Sequence, residues 1–169
     1  VTYIQNPTED GDLTYTTPRL GTLVTISGTA TDATGISQVD IRIKQGAGGS
    51  DNPQFYWTGV NFSEPDDASA WNTVGSVDYF ASCAAWRYTG VNFSSDRSYL
   101  IEVRAKDNTN LLGNVYSTST FVIDQSSPVI LVQSPANNSL IRGLTTISGT
   151  AVDGNANYPS AVSTVRLLV

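Results

Sequence analysis

Carboxylate and amide side chains end several predicted strands, and their chemistry suits a hard metal ion. Asp32 follows one strand, Asp107 and Asn108 follow another, and Asp124 and Asp153 end two more. Calcium takes about six to eight oxygen ligands from carboxylates, amides and backbone carbonyls, in flexible geometry. These residues are therefore candidate calcium ligands, and no other cofactor is predicted.

The topology of a β-sandwich decides which of these residues can meet. Where the chain enters on its first strand, the turns after the second and the penultimate strand lie at the same end. Asp32, Asp107 and Asn108 should meet there, whereas Asp124 should lie at the opposite end, near Asp153 of a following repeat. We expect calcium ions at such joints. The alternative is that Asp and Asn are turn formers that bond their own backbone.

Aromatic side chains are the second candidate for binding. Trp57 and Trp71 lie in a long aromatic insert between predicted strands. A row of exposed rings could stack on the faces of sugars. The alternative is that these rings pack in the core, as large aromatic side chains usually do.

The composition argues against several function classes. The chain has no histidine and a single cysteine, Cys83, so a thiol nucleophile lacks its usual base and no intrachain disulfide can form. A net charge of −6 argues against nucleic acid as a partner. No run approaches the roughly 18 apolar residues that span a bilayer. We predict that the protein is not an enzyme and that this segment has no membrane span.

Alternation of apolar and polar residues predicts an all-β fold. The expected strands lie near residues 1–5, 22–30, 36–44, 54–62, 84–89, 98–106 and 115–124. No segment has helical periodicity. Short strands without helices indicate a β-sandwich.

The chain contains an internal repeat. The block Thr-Ile-Ser-Gly-Thr-Ala at residues 25–30 returns at 146–151, a shift of 121 positions, and the block at 3–7 resembles 131–135 at a shift of 128. The pattern of residues 36–43 also resembles that of 162–169. We therefore predict a complete repeat at 1–126 and the first three strands of a second repeat at 127–169.

These blocks resemble the immunoglobulin-like and cadherin-like repeats of bacterial surface and secreted proteins. The resemblance rests on residues 26–32, on 99–107 followed by Gly113 and Asn114, and on 121–124 before Pro128. It implies an immunoglobulin-like sandwich, and Tyr99 is similar to the tyrosine of a tyrosine corner.

The resemblance implies an extracellular, non-catalytic structural or adhesive module. Its expected partners are neighbouring repeats or identical subunits, which can assemble into a filament by strand complementation, and also surface glycans or proteins. The alternative function is a carbohydrate-binding accessory module of a secreted enzyme, which requires exposed tryptophans.

Overall fold

The computed structural model describes residues 1–6, 19–46, 54–113, 117–154, 157–158 and 162–168. The chain divides into two compact units, Val1–Gln125 and Ser126–Val169. The described residues form thirteen β-strands and no helix. The strands are β1 (Thr2–Asn6), β2 (Arg19–Leu20), β3 (Thr25–Thr31), β4 (Ile36–Gln45), β5 (Phe55–Trp57), β6 (Phe62–Glu64), β7 (Asn72–Thr73), β8 (Ser76–Tyr79), β9 (Cys83–Thr89), β10 (Arg97–Asp107), β11 (Ser117–Ile123), β12 (Val129–Ser134) and β13 (Ser148–Val152).

Two sheets form the first unit. The smaller has four antiparallel strands in the order β1-β3-β9-β8, and the larger has the order β2-β11-β10-β4-β5-β6, with β7 also paired to β4. In the larger sheet β2 runs parallel to β11, while the other pairs are antiparallel. The predicted all-β sandwich is confirmed.

The core lies between the inner faces of the two sheets. Alternate residues of the long strands point inward because successive side chains of a strand lie on opposite faces. The buried cluster takes Ile26 and Ala30 from β3, Val39, Ile41 and Ile43 from β4, Trp86 from β9, Tyr99, Ile101 and Val103 from β10, and Phe121 and Ile123 from β11.

Gly28 allows β1, β3 and β9 to pack closely. It lies opposite Ile4 on one side and Trp86 on the other. A Cβ atom at this position would overlap the carbonyl oxygen of Tyr3 and would lie 2.5 Å from a ring carbon of Trp86. Only a residue without a side chain lets the indole lie against the backbone of β3.

The insert between β4 and β9 differs from the prediction. The single strand expected at 54–62 is a hairpin of β5 and β6, because residues 58–61 form a turn in which Gly59 has a φ of 96°. The short strands β7 and β8 were not predicted. They have few residues and little alternation, so their existence depends on pairing with β4 and β9.

The second unit contains one pair of antiparallel strands, whose register matches that of β1 and β3. β12 pairs with β13 as β1 pairs with β3, including a register shift at the equivalent place, after Val132 and after Ile4. The equivalent pairs are Tyr3 with Thr29 and Ile4 with Gly28 in the first unit, and Leu131 with Thr150 and Val132 with Gly149 in the second. Residues 162–168, predicted to be a third strand, contain no strand; Val169 lies outside the described residues.

Candidate functional site

The turns that follow β3 and β10 meet at one end of the first unit, as predicted. The hydroxyl of Thr34 lies 2.6 Å from Oδ1 of Asp32 and 3.2 Å from Oδ2 of Asp107. The side-chain amide of Asn108 donates to the carbonyl oxygen of Thr34 at 2.9 Å. The single proton of the hydroxyl can serve one carboxylate at a time. Three of the five predicted ligands therefore lie together around one threonine.

Both carboxylates also bond the backbone of their own turns. Oδ1 of Asp32 accepts the amide of Thr34 at 2.9 Å. Oδ1 of Asp107 accepts the amides of Thr109 at 2.7 Å and Leu111 at 2.9 Å, and the Thr109 hydroxyl at 2.8 Å. These are the bonds expected of turn-forming aspartates. Within this chain, the side chains of Asp32 and Asp107 therefore act as turn formers.

These bonds favour the ionised form of each acid. The Thr34 side chain and then its backbone amide lower the pKa of Asp32, and they outweigh the repulsion from Asp107. Burial raises the pKa of Asp107, but the bonds from Leu111, Thr109 and Thr34 together outweigh it and lower the pKa. Two neighbouring carboxylates are therefore both negative at neutral pH, which is the charge that a divalent cation requires.

The groups around Asp32 and Asp107 limit how the two carboxylates can bind a metal ion. A cleft of about 240 Å³ opens beside Asp32 and Asp107. Within the described part of the chain, no group of three or more Asp, Glu, His or Cys side chains is placed to hold a metal ion. A calcium ion at this end would need amide, hydroxyl and backbone oxygens in addition to the two carboxylates. Calcium binding therefore remains a prediction.

The other two predicted ligands lie elsewhere. Asp124 follows β11, whose last residue pairs with the first residue of β10, so it lies at the opposite end from Asp107. Its amide donates to the carbonyl of Leu20 at 2.9 Å. Asp153 belongs to the second unit, where it follows β13. The pairing of Asp124 with Asp153 stays a prediction.

Trp57 is a core residue, so its predicted role in glycan binding is wrong. Its side chain is 2% exposed. The indole nitrogen donates to the hydroxyl of Tyr88 at 3.1 Å, and its ring packs at 5.1 Å on that of Phe62. A sugar cannot stack on a ring that the protein already covers. The alternative interpretation, core packing, holds for this tryptophan.

Trp71 is half-buried and lies on the outer face of the larger sheet. The guanidinium carbons of Arg42 and Arg104 lie 4.6 and 4.0 Å from its ring centre. Arg42 bonds Glu102 at 2.6 Å, and Arg104 bonds Asp40 at 3.1 Å. We call these five residues the outer-face cluster. Its ion pairs hold both guanidinium groups under the indole and fix the position of the ring.

The outer-face cluster was not predicted from the sequence. Its signal was present in the outward positions of β4 and β10, where Asp40 and Arg42 pair in register with Arg104 and Glu102. Opposite charges directly across two strands attract each other. The position of Trp71 over them depends on the insert, which returns across the sheet through β7.

A duplicated hexapeptide, Thr-Gly-Val-Asn-Phe-Ser, begins at Thr58 and again at Thr89. The aromatic residues just before the two copies, Trp57 and Tyr88, share the hydrogen bond described above. Both glycines have positive φ, 96° and 84°. The first copy forms the turn between β5 and β6 of the larger sheet, and the second begins at the last residue of β9 in the smaller sheet.

The phenylalanines of the two copies close one end of the core. Phe62 and Phe93 lie 6.3 Å apart, and their ring centres lie 5.4 and 4.7 Å from that of Tyr99. The Tyr99 hydroxyl accepts the amide of Ser94 at 2.8 Å and lies 3.2 Å from its carbonyl oxygen. The phenylalanines of the hexapeptide thus pack against Tyr99. The Tyr99 hydroxyl bonds the backbone of Ser94, five residues upstream.

The described residues include no helix that is long and apolar enough to cross a membrane. Comparison with known proteins identifies no relative: no family model, no curated protein and no solved structure matches this chain.

Proposed function

We propose that the chain is a non-catalytic, immunoglobulin-like structural or adhesive repeat module of a bacterial surface or secreted protein. The observation that carries the proposal is the common register of the β1–β3 and β12–β13 strand pairs. A strand pair that recurs with the same register shift and with a glycine at the same position is typical of tandem modules. Such modules stack in quasi-linear arrays, and these arrays extend outward, connect other domains or adhere to a partner.

The strand order supports the immunoglobulin-like part of the proposal. A sheet ordered β1-β3-β9-β8 facing one that contains β11-β10-β4-β5 resembles the two sheets of an immunoglobulin-like sandwich. The bond that the backbone amide of Ser94 donates to the Tyr99 hydroxyl resembles a tyrosine corner. The buried Trp86 between the sheets agrees with the same fold.

The surface chemistry supports an extracellular location. Only 14% of the residues are charged, and the net charge is −6. Threonine, serine, asparagine and glycine make up much of the remaining sequence, so the surface of the protein carries mainly uncharged polar groups. Cys83 is half-buried and unpaired, so the fold depends on packing and not on a disulfide.

Surface labelling tests the proposed location and role. Antibodies against the chain should label intact cells of the source organism, and protease treatment of those cells should remove the label. Purified chain added in excess should reduce attachment of the cells to their surface or to each other. Labelling that requires permeabilised cells would contradict the proposal.

Calcium at the joints between modules is a separate part of the proposal, supported by the two ionised carboxylates around Thr34. Chelation of calcium should lower the melting temperature by several degrees, and added calcium should restore it. The Asp32→Asn variant, which keeps the turn-forming oxygen but loses the charge, should melt at the same temperature with and without chelator. An unchanged melt of the unsubstituted chain would contradict calcium binding.

A further inference from the structure

The outer face of the larger sheet carries two half-buried aromatic rings. Tyr56 lies on this face because its neighbour Trp57 points into the core, and successive side chains of a strand lie on opposite faces. The Cζ atom of Arg42 lies 5.6 Å from the centre of the Tyr56 ring and 4.6 Å from that of Trp71. The two rings therefore lie beside the same guanidinium group.

The ring of Trp71 is held in position by the protein itself. The guanidinium groups of Arg42 and Arg104 lie against it. Glu102 binds the first of these groups, and the buried carboxylate of Asp40 binds the second. A ring that is fixed before a ligand arrives loses little conformational freedom when the ligand stacks on it.

The charges around Trp71 favour an uncharged ligand. Besides its bond to Glu102, Arg42 donates to the backbone carbonyl of Asp67 at 2.9 Å and lies 3.6 Å from the Asp67 carboxylate. Both guanidinium groups already bind carboxylates, so neither is available to a negatively charged ligand. A positively charged ligand on the indole would be repelled by the two positive charges that lie against the ring.

Acidic side chains beside the rings can accept hydrogen bonds from a ligand that carries hydroxyl groups. The side chain of Asp67 is 62% exposed. Glu64 lies directly opposite Tyr56 in the β5–β6 pair and therefore shares the outer face. A sugar offers many hydroxyl donors, whereas a proline-rich peptide also stacks on aromatic rings but its prolines have no N–H to donate. The polar groups of this surface thus fit a sugar better than a proline-rich peptide.

We propose that Trp71 and Tyr56 form a binding site for an uncharged oligosaccharide of the β-glucan type, whose sugar rings stack on the two aromatic rings. In β-linked glucose the ring substituents are equatorial, so the axial C–H groups give each sugar ring an apolar face. This face covers the exposed part of the indole, and the sugar hydroxyls donate to Asp67 and Glu64. The inference rests on the proposed function, because it names the partner of an adhesive module.

Titration of the 169-residue chain with cellohexaose, followed by calorimetry and tryptophan fluorescence, tests the inference. We expect saturable binding. Trp57 and Trp86 are only 2% and 1% exposed, so quenching by acrylamide reports mainly on Trp71. Bound cellohexaose should reduce this quenching, and the readout needs no variant. Absence of saturable binding, or binding that leaves the quenching unchanged, would overturn the inference.

Substitutions of the aromatic rings locate the site. Trp71→Ala should weaken cellohexaose binding about tenfold or more, whereas Trp71→Tyr, which keeps a ring, should recover most of the affinity. Tyr56→Ala should weaken binding about threefold or more. Phe80→Ala is the matched control, because Phe80 is an exposed ring that follows β8 of the smaller sheet, and it should leave the affinity unchanged. Equal affinities of the Trp71→Ala and Phe80→Ala variants would contradict the proposed site.

Ligands of other chemistry test the choice of an uncharged sugar. A β-1,4-linked hexaglucuronate has the linkage of cellohexaose but a carboxylate on each ring, and it should bind about tenfold more weakly or less. Raising the salt concentration about tenfold should leave the affinity for cellohexaose unchanged, because an uncharged ligand is not screened. Equal or tighter binding of hexaglucuronate, or of a decaproline peptide, would overturn the inference. None of these results affects the surface-labelling test, because a structural module needs no glycan.

Discussion

Substitution of Gly28 by alanine should destabilise the first unit severely. The added methyl group would overlap the carbonyl oxygen of Tyr3 and press against the Trp86 ring. Neither neighbour can move easily, because Tyr3 is held in the β1–β3 ladder and Trp86 is 1% exposed. The change therefore requires the three strands to separate.

The size of the effect follows from opposing contributions. Overpacking a well-packed core costs about 1–3 kcal/mol and sometimes more, and the overlap here involves backbone. The loss of unfolded-state freedom on replacing glycine by alanine returns only about 0.4–1 kcal/mol. We expect the free energy of unfolding to fall by about 3 kcal/mol, which lowers the urea midpoint by roughly 1–3 M for a typical dependence on urea of about 1–3 kcal/mol/M.

Tryptophan fluorescence during urea unfolding measures this effect in the first unit alone. All three tryptophans, at positions 57, 71 and 86, belong to residues 1–125. Gly75→Ala is the matched control, because a Cβ at Gly75 has nothing within 4 Å. Its free energy of unfolding should stay within about 0.5 kcal/mol of that of the unsubstituted chain. Equal midpoints for Gly28→Ala and Gly75→Ala would refute the close packing of β1, β3 and β9.

Three further predictions concern hydrogen bonds and charge. Tyr99→Phe should lower the free energy of unfolding by about 0.5–1.5 kcal/mol because the part-buried bond from the Ser94 amide to the Tyr99 hydroxyl is lost; an unchanged urea midpoint would contradict this. Trp57→Phe should cost about 1 kcal/mol more than Trp86→Phe, measured by circular dichroism, because the buried Trp86 nitrogen bonds none of the described residues and so has no such bond to lose. The lowered pKa values of Asp32 and Asp107 stabilise the fold above the ordinary value of 3.8, and this stabilisation is lost as pH falls through the lower folded values. Asp107→Asn should therefore reduce the loss of stability on acidification, and an identical acid limb in both proteins would contradict this.

Much of the architecture followed from local patterns. Alternation predicted the long strands β3, β4 and β10 to within a few residues because a strand with one buried face has a period of two. The repeated block around Gly28 and Gly149 predicted a second copy of the opening strands, and the first two strands of each copy pair in the same register because register follows the apolar pattern. The meeting of Asp32 with Asp107 followed from strand direction alone.

Other features depended on contacts between residues far apart in sequence. The sequence left open whether the aromatic insert exposes a row of rings or packs in the core, and the structure shows the Phe62 and Phe93 rings packed against Tyr99 inside the first unit. A sequence pattern shows which residue types recur, but it does not show which side of the insert faces the core. Trp57 and Trp71 have the same residue type and lie in the same insert, but one is buried and the other lies over two arginines.

Periodicity and strand direction were enough to predict an all-β chain, its repeated block and the acidic turns that share an end. The covered position of Trp57 and the place of Trp71 in the outer-face cluster became clear only in the folded chain. Burial and strand pairing depend on which distant strand lies alongside, and the local sequence does not specify this. In the first unit β9 reaches Gly28, whereas none of the residues described in the second unit pairs with the equivalent edge beside Gly149.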